Sequence, residues 1–180
     1  MQALVGALKK QPVITNTIVY GTLYVAAEFG QQMFRRYTSE PPEPGADYPP
    51  VDTGSLARFG VMGTCVLPHT LYHAYKYLDA RFPGNSGPMA IRKLAIDALV
   101  ITPINLTLFY VGMSAMERKD DLLAEWRAKL IPTFITASCF WVPANFVNFK
   151  LLPPHVRVVF VGGCQIIWVS ILCWFKKQEF

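Results

Sequence analysis

The chain has 180 residues, of which 52% are hydrophobic and 16% charged, and its formal net charge is +5 with a pI of about 9.1. A mean hydropathy of +0.28 is high for a soluble domain of this length and indicates a membrane protein. The basic residues are spread thinly along the chain instead of forming a continuous stripe, which argues against direct nucleic-acid binding. We expect them to lie against lipid head groups.

Charged residues are missing from five stretches, and these gaps predict the fold. The uncharged runs cover residues 11–27, 59–75, 98–116, 130–149 and 158–175. A helix of roughly 20 residues crosses a bilayer core of about 30 Å, and each run reaches or nearly reaches that length. The sequence therefore predicts an all-α, polytopic membrane helix bundle of four to five transmembrane helices, forming one integral membrane domain over residues 1–180. We expect all five helices to cross.

The first predicted helix covers residues 13–34 and carries Glu28 within its apolar length. The segment before it lacks a small-residue cleavage site after an apolar stretch, so we expect no cleaved signal peptide. A proline-rich segment, 37–55, follows the helix. Because its composition supports neither helix nor strand, we predict an aqueous loop there.

The second predicted helix, 56–78, carries His69 and His73 one helical turn apart. That spacing suits metal chelation, but a closed site needs more ligands than a chain with three histidines supplies. We therefore expect no metal and no cofactor. After a turn at 79–89, the third helix has Arg92 at its mouth and Asp97 about one turn deeper.

The fourth and fifth predicted helices, 130–149 and 158–175, form a Pro-rich hairpin. A short amphipathic link at 122–129 precedes them, with Trp126 as an interfacial anchor. Because Pro132 and Pro143 lack a backbone N–H, we expect the fourth helix to bend or unwind where protein or water can satisfy its free carbonyls.

Sequence motifs for catalysis are absent. The chain contains no GxSxG, GxxxxGK, HExxH or CxxC pattern, so we expect a protein that is not an enzyme. The four cysteines all fall in uncharged runs, and we predict buried free thiols at Cys65, Cys139, Cys164 and Cys173.

Several polar side chains lie within the predicted spans, where a charged group costs about 3 kcal/mol unless it faces a partner or water. Two interpretations remain open. These side chains either line a wet path or make interhelical bonds, such as Asp97 to Arg92 or Arg58. The candidates for pore-lining or buried polar residues are Glu28, Asp97, Asn145, Asn148 and Gln165.

The C-terminal third of the chain contains a series of residues that resembles a family signature. The series consists of Trp141, Pro143, Asn148, Phe149, Pro153, Arg157 and Trp168. It is similar to the signature of the Mpv-seventeen and twenty-two-kilodalton peroxisomal membrane protein family. Two positions differ, because the proline usually found directly after the Trp stands one residue later as Pro143, and the usual Gln is Asn145.

The resemblance implies a small protein of the mitochondrial inner membrane or, alternatively, of the peroxisomal membrane. It implies a channel or pore for small solutes or ions, linked to membrane potential, reactive oxygen species and mitochondrial DNA maintenance. The alternative is a non-conducting structural or assembly factor in a larger inner-membrane complex. The expected partner is the lipid bilayer, and a second copy of the chain or a larger complex remains open. The family is commonly drawn with four spans, against five apolar runs here.

Overall fold

The computed structural model describes residues 12–38, 48–83, 87–150 and 154–178. Within its helices the side chains at 12, 13, 15, 16, 79, 90, 148–150, 154–159, 161 and 162 are not described. All regular elements in the described ranges are helical, which confirms the predicted all-α class. We number five long helices: α1 (Pro12–Thr38), α2 (53–81), α3 (Gly87–Met116), α4 (Ala124–Lys150) and α5 (Pro154–Lys177).

Two of the helices contain a π-helical turn. These turns are Met62–Val66 in α2 and Asp97–Ile101 in α3, and each ends two residues before a proline, Pro68 or Pro103. Proline lacks a backbone N–H and crowds the preceding turn, so a widened turn relieves the clash. Asp97, the deepest acidic residue of the third predicted helix, is the first residue of its π turn.

The fourth helix differs from its prediction in two ways. It is helical without interruption through Pro132 and Pro143, so neither proline unwinds it. It also begins at Ala124, so 122–129 is not a separate link. Trp126 lies in the first turn of α4, and its indole N–H donates to Thr107 Oγ1 of α3 at 2.9 Å. That bond joins the first turn of α4 to α3.

Successive helices run antiparallel. Arg58 of α2 pairs with Glu117 near the end of α3, whereas Tyr75, later in α2, bonds Asp97, earlier in α3. The other neighbours show the same reversal. The contacts are Glu28–Ser55 and Tyr24–Gly63 between α1 and α2, Ser114–Glu125 and Tyr110–Thr133 between α3 and α4, and Lys129–Lys176 and Trp141–Trp168 between α4 and α5. The last turns of α1, α3 and α5 therefore lie beside the first turns of α2 and α4. We call this end of the bundle the charged end, after Arg58, Glu117, Lys119, Glu125, Lys129, Lys176 and Lys177.

A layer of fully buried side chains lies between the charged end and the middle of the bundle. Phe109 is at its centre, with its ring centroid 5.8 Å from that of Phe59 and 5.4 Å from that of Tyr110. Met62 and Met113 complete the layer and are also buried. We call these five residues the aromatic layer. Rings in edge-on contact stabilise one another beyond the apolar area that they bury.

The outside of the bundle is apolar, which is the reverse of a soluble protein. Ile91 and Leu99 are each 69% exposed, whereas Glu28 is completely buried. Large exposed apolar surfaces of this kind mark contact with lipid or with another protein. Among the described residues, two helices are long and apolar enough to cross a membrane, Gly87–Met116 and Ala124–Val147.

The cysteines are all free, but they are not all buried as predicted. Cys173 is buried and Cys164 is half-buried, whereas Cys65 and Cys139 are exposed. The prediction is therefore wrong for Cys65 and Cys139. Both lie on the outside of the bundle, where apolar surroundings would be supplied by lipid.

Candidate functional site

A cavity of about 230 Å³ lies among all five helices. Its polar lining comes from Tyr20, Tyr24, Tyr75, Asp97, Thr102, Asn105, Asn145 and Gln165. We call it the central cavity. Three of the sequence-predicted candidates, Asp97, Asn145 and Gln165, line it together. Asn148 is a residue of α4 whose side chain is not described, so its predicted role lies outside the described residues.

Asp97 and Tyr75 form the polar edge of the central cavity. The Tyr75 hydroxyl donates to Asp97 Oδ1 at 2.8 Å, and Tyr75 is 45% exposed, so the cavity reaches the molecular surface at this pair. Tyr75 takes the place of the partners expected from sequence, Arg92 and Arg58. Arg58 lies at the charged end, where it pairs with Asp52 and Glu117.

Helix geometry gives the level of each polar group. At 1.5 Å per residue, Asp97 lies roughly 30 Å along α3 from Glu117, and Asn145 lies roughly 30 Å along α4 from Glu125. That span equals the bilayer core of about 30 Å. Asp97 and Asn145 therefore share a level in the bundle, roughly 30 Å from the charged end. They form the mouth of the central cavity.

Two amides lie deeper than the mouth. Asn105 and Gln165 are roughly 18 Å and 17 Å along their helices from Glu117 and Lys176. The Asn105 amide N–H donates to the Ile101 carbonyl at 2.9 Å, while its buried Oδ1 has no hydrogen-bond partner among the described residues. A buried acceptor without a partner costs about 1–3 kcal/mol, which a water or a polar solute in the cavity would offset. Sequence reasoning missed Asn105, although it is an amide within the third uncharged run.

The walls of the central cavity are aromatic. Trp141 and Trp168, two residues of the family-like signature, line it with ring centroids 6.4 Å apart, and Phe140 stacks on Trp168 at 6.1 Å. Pro143 is exposed on α4 and is absent from the lining. Of the remaining signature residues, Phe149 and Arg157 have side chains that are not described, and Pro153 lies outside the described residues.

Glu28 lies away from the other candidates, towards the charged end. Its Oε1 accepts from the Ser55 hydroxyl at 2.7 Å and from the Gln32 amide at 2.8 Å, and it also pairs with Lys177. These contacts tie α1 to α2 and α5. The structure therefore does not bring Glu28 to the central cavity with Asp97.

The charged end is an ion-pair network that joins the helices. Lys176 Nζ donates to Glu117 at 2.9 Å and to Glu125 at 2.7 Å, and Lys129 Nζ donates to the Lys176 carbonyl at 2.6 Å. Lys119, in the connection between α3 and α4, pairs with both glutamates. Burial alone would lower the pKa of Lys119, but its bonds to Glu125 and Glu117 outweigh that effect and raise the pKa above its ordinary value. Lys119 therefore keeps its positive charge at neutral pH, beside the two glutamates.

Metal ligands do not gather in the part of the chain that the structure describes. No three His, Cys, Asp or Glu side chains there lie close enough to hold a metal ion. The Nδ1 atom of His69 is buried without a hydrogen-bond partner among these residues, and the His73 ring contacts Tyr72.

Comparison with known proteins identifies the family. Residues 114–173 match the Mpv17 / PMP22 family. The chain is 30% identical to the PXMP2/4 family protein 4 of Dictyostelium discoideum over 174 residues, which cover 92% of this chain and 86% of that protein. It is 28% identical to the Mpv17-like protein of Xenopus laevis over 179 residues, 99% of this chain and 84% of the relative. Protein SYM1 of Kluyveromyces lactis is 25% identical over 172 residues, 93% of this chain and 84% of the relative.

No solved structure matches the chain. The sequence similarity to these relatives extends over nearly the whole length of the chain. The chain belongs to the Mpv17 / PMP22 family of organelle-membrane proteins.

Proposed function

We propose that this protein is a gated channel for small solutes or ions in an organelle membrane. The central cavity is its vestibule, and the aromatic layer together with the charged end is its closed gate. One observation carries the proposal: all five helices contribute to a cavity that has polar side chains in its otherwise apolar lining, reaches the surface at Asp97 and ends at a layer of fully buried side chains. A packed, water-free structural bundle would have no reason to keep such a cavity.

The proposal includes five crossings, with α4 and α5 as a Pro-rich hairpin. Two helices meet the length and hydropathy requirement for a span. Because successive helices lie side by side and run antiparallel, we propose that the neighbours of these two helices also cross. The exposed apolar side chains on α1 and α5, such as Ile18 and Ile167, support contact with lipid there as well. The three residues 151–153 that would form the hairpin tip lie outside the described ranges.

The chemistry of the vestibule favours cations. Asp97 is the charged side chain among the lining residues, and the aromatic faces of Trp141 and Trp168 attract positive charge. A carboxylate at the mouth of a narrow cavity raises the local concentration of cations. No catalytic step is part of the proposal.

We propose that the channel lies in the mitochondrial inner membrane, with the peroxisomal membrane as the alternative, and the family resemblance supports an organelle membrane. It also supports roles in the balance of reactive oxygen species and in the maintenance of mitochondrial DNA. Fractionation of organelles with a tagged chain distinguishes the two membranes, and a signal that follows peroxisomal markers would contradict the mitochondrial assignment.

A second candidate function is a non-conducting assembly factor. An apolar groove of about 760 Å³ between α1 and α2 favours it, because Gly21, Ala26 and Gly60 would let another membrane helix approach closely. The occupant would be a second copy of the chain or a subunit of a larger complex.

Purified protein in planar bilayers separates the two functions. We expect discrete conductance steps, with a reversal potential shifted toward that of K⁺ in a KCl gradient. Absence of conductance at all voltages and pH values, together with a stable partner after mild solubilisation, would reject the channel in favour of the assembly factor.

A further inference from the structure

A second polar cavity opens at the charged end and is separate from the vestibule. Its volume is about 450 Å³. Six cations line it against the three carboxylates Asp52, Glu117 and Glu125, which leaves an excess of three positive charges. The buried Glu28, paired with Lys177, lowers that excess to two. The cations are Arg35, Arg58, Lys119, Lys129, Lys176 and Lys177.

The unused hydrogen-bonding capacity belongs to the two arginines. Arg58 makes only long ion pairs, at 3.7 Å to Asp52 and 3.7 Å to Glu117, and its buried Nε has no hydrogen-bond partner among the described residues. No hydrogen bond or ion pair joins the Arg35 guanidinium to another described residue. The lysines are engaged by comparison, since Lys176 bonds both glutamates at less than 3 Å.

Two guanidinium groups in one cavity suit an oxyanion. Each presents N–H donors in a planar fork that matches the oxygens of a phosphate, and such charge-assisted bonds are about twice as strong as neutral ones. A phosphate would let Arg58 exchange its long contacts for short ones and would satisfy its buried Nε. The excess of positive charge at the cavity would also favour the anion over water.

The level of the cavity in the bundle fits the same ligand. The charged end lies roughly 30 Å along α3 from Asp97, so it coincides with a border of the bilayer core, where phospholipid phosphates lie. We propose that this cavity binds a phosphate group, held by Arg35 and Arg58. The group belongs either to a free phosphate anion or to an anionic phospholipid. This site is independent of whether the central cavity conducts.

The test measures the thermal unfolding midpoint of the full chain in detergent, with inorganic phosphate titrated against chloride at matched ionic strength. We expect a saturable rise in the midpoint. Arg35→Gln should raise the apparent Kd for phosphate about tenfold, the value of one strong charge-assisted bond. Arg35 is exposed at the end of α1, so this variant should fold.

Arg127→Gln is the matched control. It removes the same charge at the same end of the bundle, but Arg127 pairs with Asp121 and does not line the cavity. A second titration uses micelles that contain phosphatidic acid or phosphatidylcholine. If inorganic phosphate raises the unfolding midpoint and the rise depends on Arg35, the ligand is a free phosphate anion. If only phosphatidic acid gives an Arg35-dependent rise in the midpoint, the ligand is the head group of an anionic phospholipid. No saturable rise with either probe, or the same rise in Arg35→Gln as in the unmodified chain, overturns the proposal.

Discussion

Asp97 carries the charge of the vestibule, so its removal tests the cavity at the level of one residue. A carboxylate about 4 Å from a cation in water-like surroundings contributes about 1 kcal/mol, which corresponds to a change of about fivefold in the preference for cations. We expect Asp97→Asn to lower the K⁺ over Cl⁻ permeability ratio by about that factor and to reduce conductance. The amide oxygen can still accept from Tyr75, so the protein should still insert. Reversal potentials in planar bilayers measure the ratio.

The control for this change is Asp121→Asn, which removes an exposed carboxylate at the charged end that pairs with Arg127 and does not line the central cavity. It should leave the permeability ratio unchanged. If Asp97→Asn keeps both conductance and selectivity but lowers the unfolding midpoint, the role of Asp97 is in packing. The vestibule would then have no charged residue that selects cations.

Sequence alone could place Asp97, Asn145 and Gln165 within spans but could not bring them together. Their grouping depends on the rotation of each helix about its own axis, and an uncharged run gives no clear apolar face from which to read it. Glu28 shows the limit, because the sequence left open whether it lines a pore or bonds another helix, and only the structure shows that it bonds Ser55 and Lys177. Asn105 has no distinguishing signal in the sequence, because an amide in an apolar run can also bond its own helix, as Asn105 does to the Ile101 carbonyl.

At the scale of the helices, the contact between α1 and α2 depends on a glycine. A Cβ added at Gly63 would lie 2.8 Å from the Tyr20 carbonyl oxygen and 2.8 Å from Tyr24 Cβ, so backbone would have to move. We expect Gly63→Ala to destabilise the fold by about 1–3 kcal/mol, the usual cost of overpacking. Gly30 is the matched control on α1, because nothing lies within 4 Å of a Cβ added there.

Thermal unfolding in detergent compares the two glycine variants. Gly30→Ala should leave the midpoint unchanged or raise it, since alanine is the better helix former by about 0.5–1 kcal/mol. Equal midpoints for Gly63→Ala and the unmodified chain would mean that α1 and α2 are not packed as closely as described.

The positions of the helices followed from the gaps in charge, but their internal irregularities did not. Pro68, Pro103, Pro132 and Pro143 all lie inside helices, and sequence treats them alike. Only Pro68 and Pro103 follow a π turn. Both turns lie at the central cavity, because Leu67 directly follows the first turn and Asp97 begins the second. Which proline widens its helix is decided by the neighbours that the turn must fit, and these are known only once the bundle is assembled.

At the scale of the whole molecule, five antiparallel helices put Pro12 and Gln178 at opposite ends of the bundle. If all five cross, tags placed at the two termini are exposed on opposite faces of the membrane. The basic residues give no preferred orientation, because five crossings divide them 8 against 9 between the faces. Protease protection in sealed organelles measures the arrangement. Tags that are digested from the same side would show that one helix does not cross.

The proposed gate involves the whole bundle, because the pair between Glu28 and Lys177 joins the first and last helices. Glu28→Gln keeps acceptors for Ser55 and Gln32 but leaves Lys177 facing a neutral group. Removing one partner of a buried pair costs about 3 kcal/mol, whereas removing both is often neutral. We therefore expect Glu28→Gln to lower the unfolding midpoint and to raise the open probability of single channels.

The double variant Glu28→Gln with Lys177→Gln completes the cycle, since it removes the unpaired charge and should restore most of the midpoint and the closed state. Stability and gating are then coupled through one contact at the charged end. An open probability that stays at its original value in the single variant, despite a lowered midpoint, would show that this contact holds the helices together without closing the path, and the gate would have to lie in the aromatic layer around Phe109 alone.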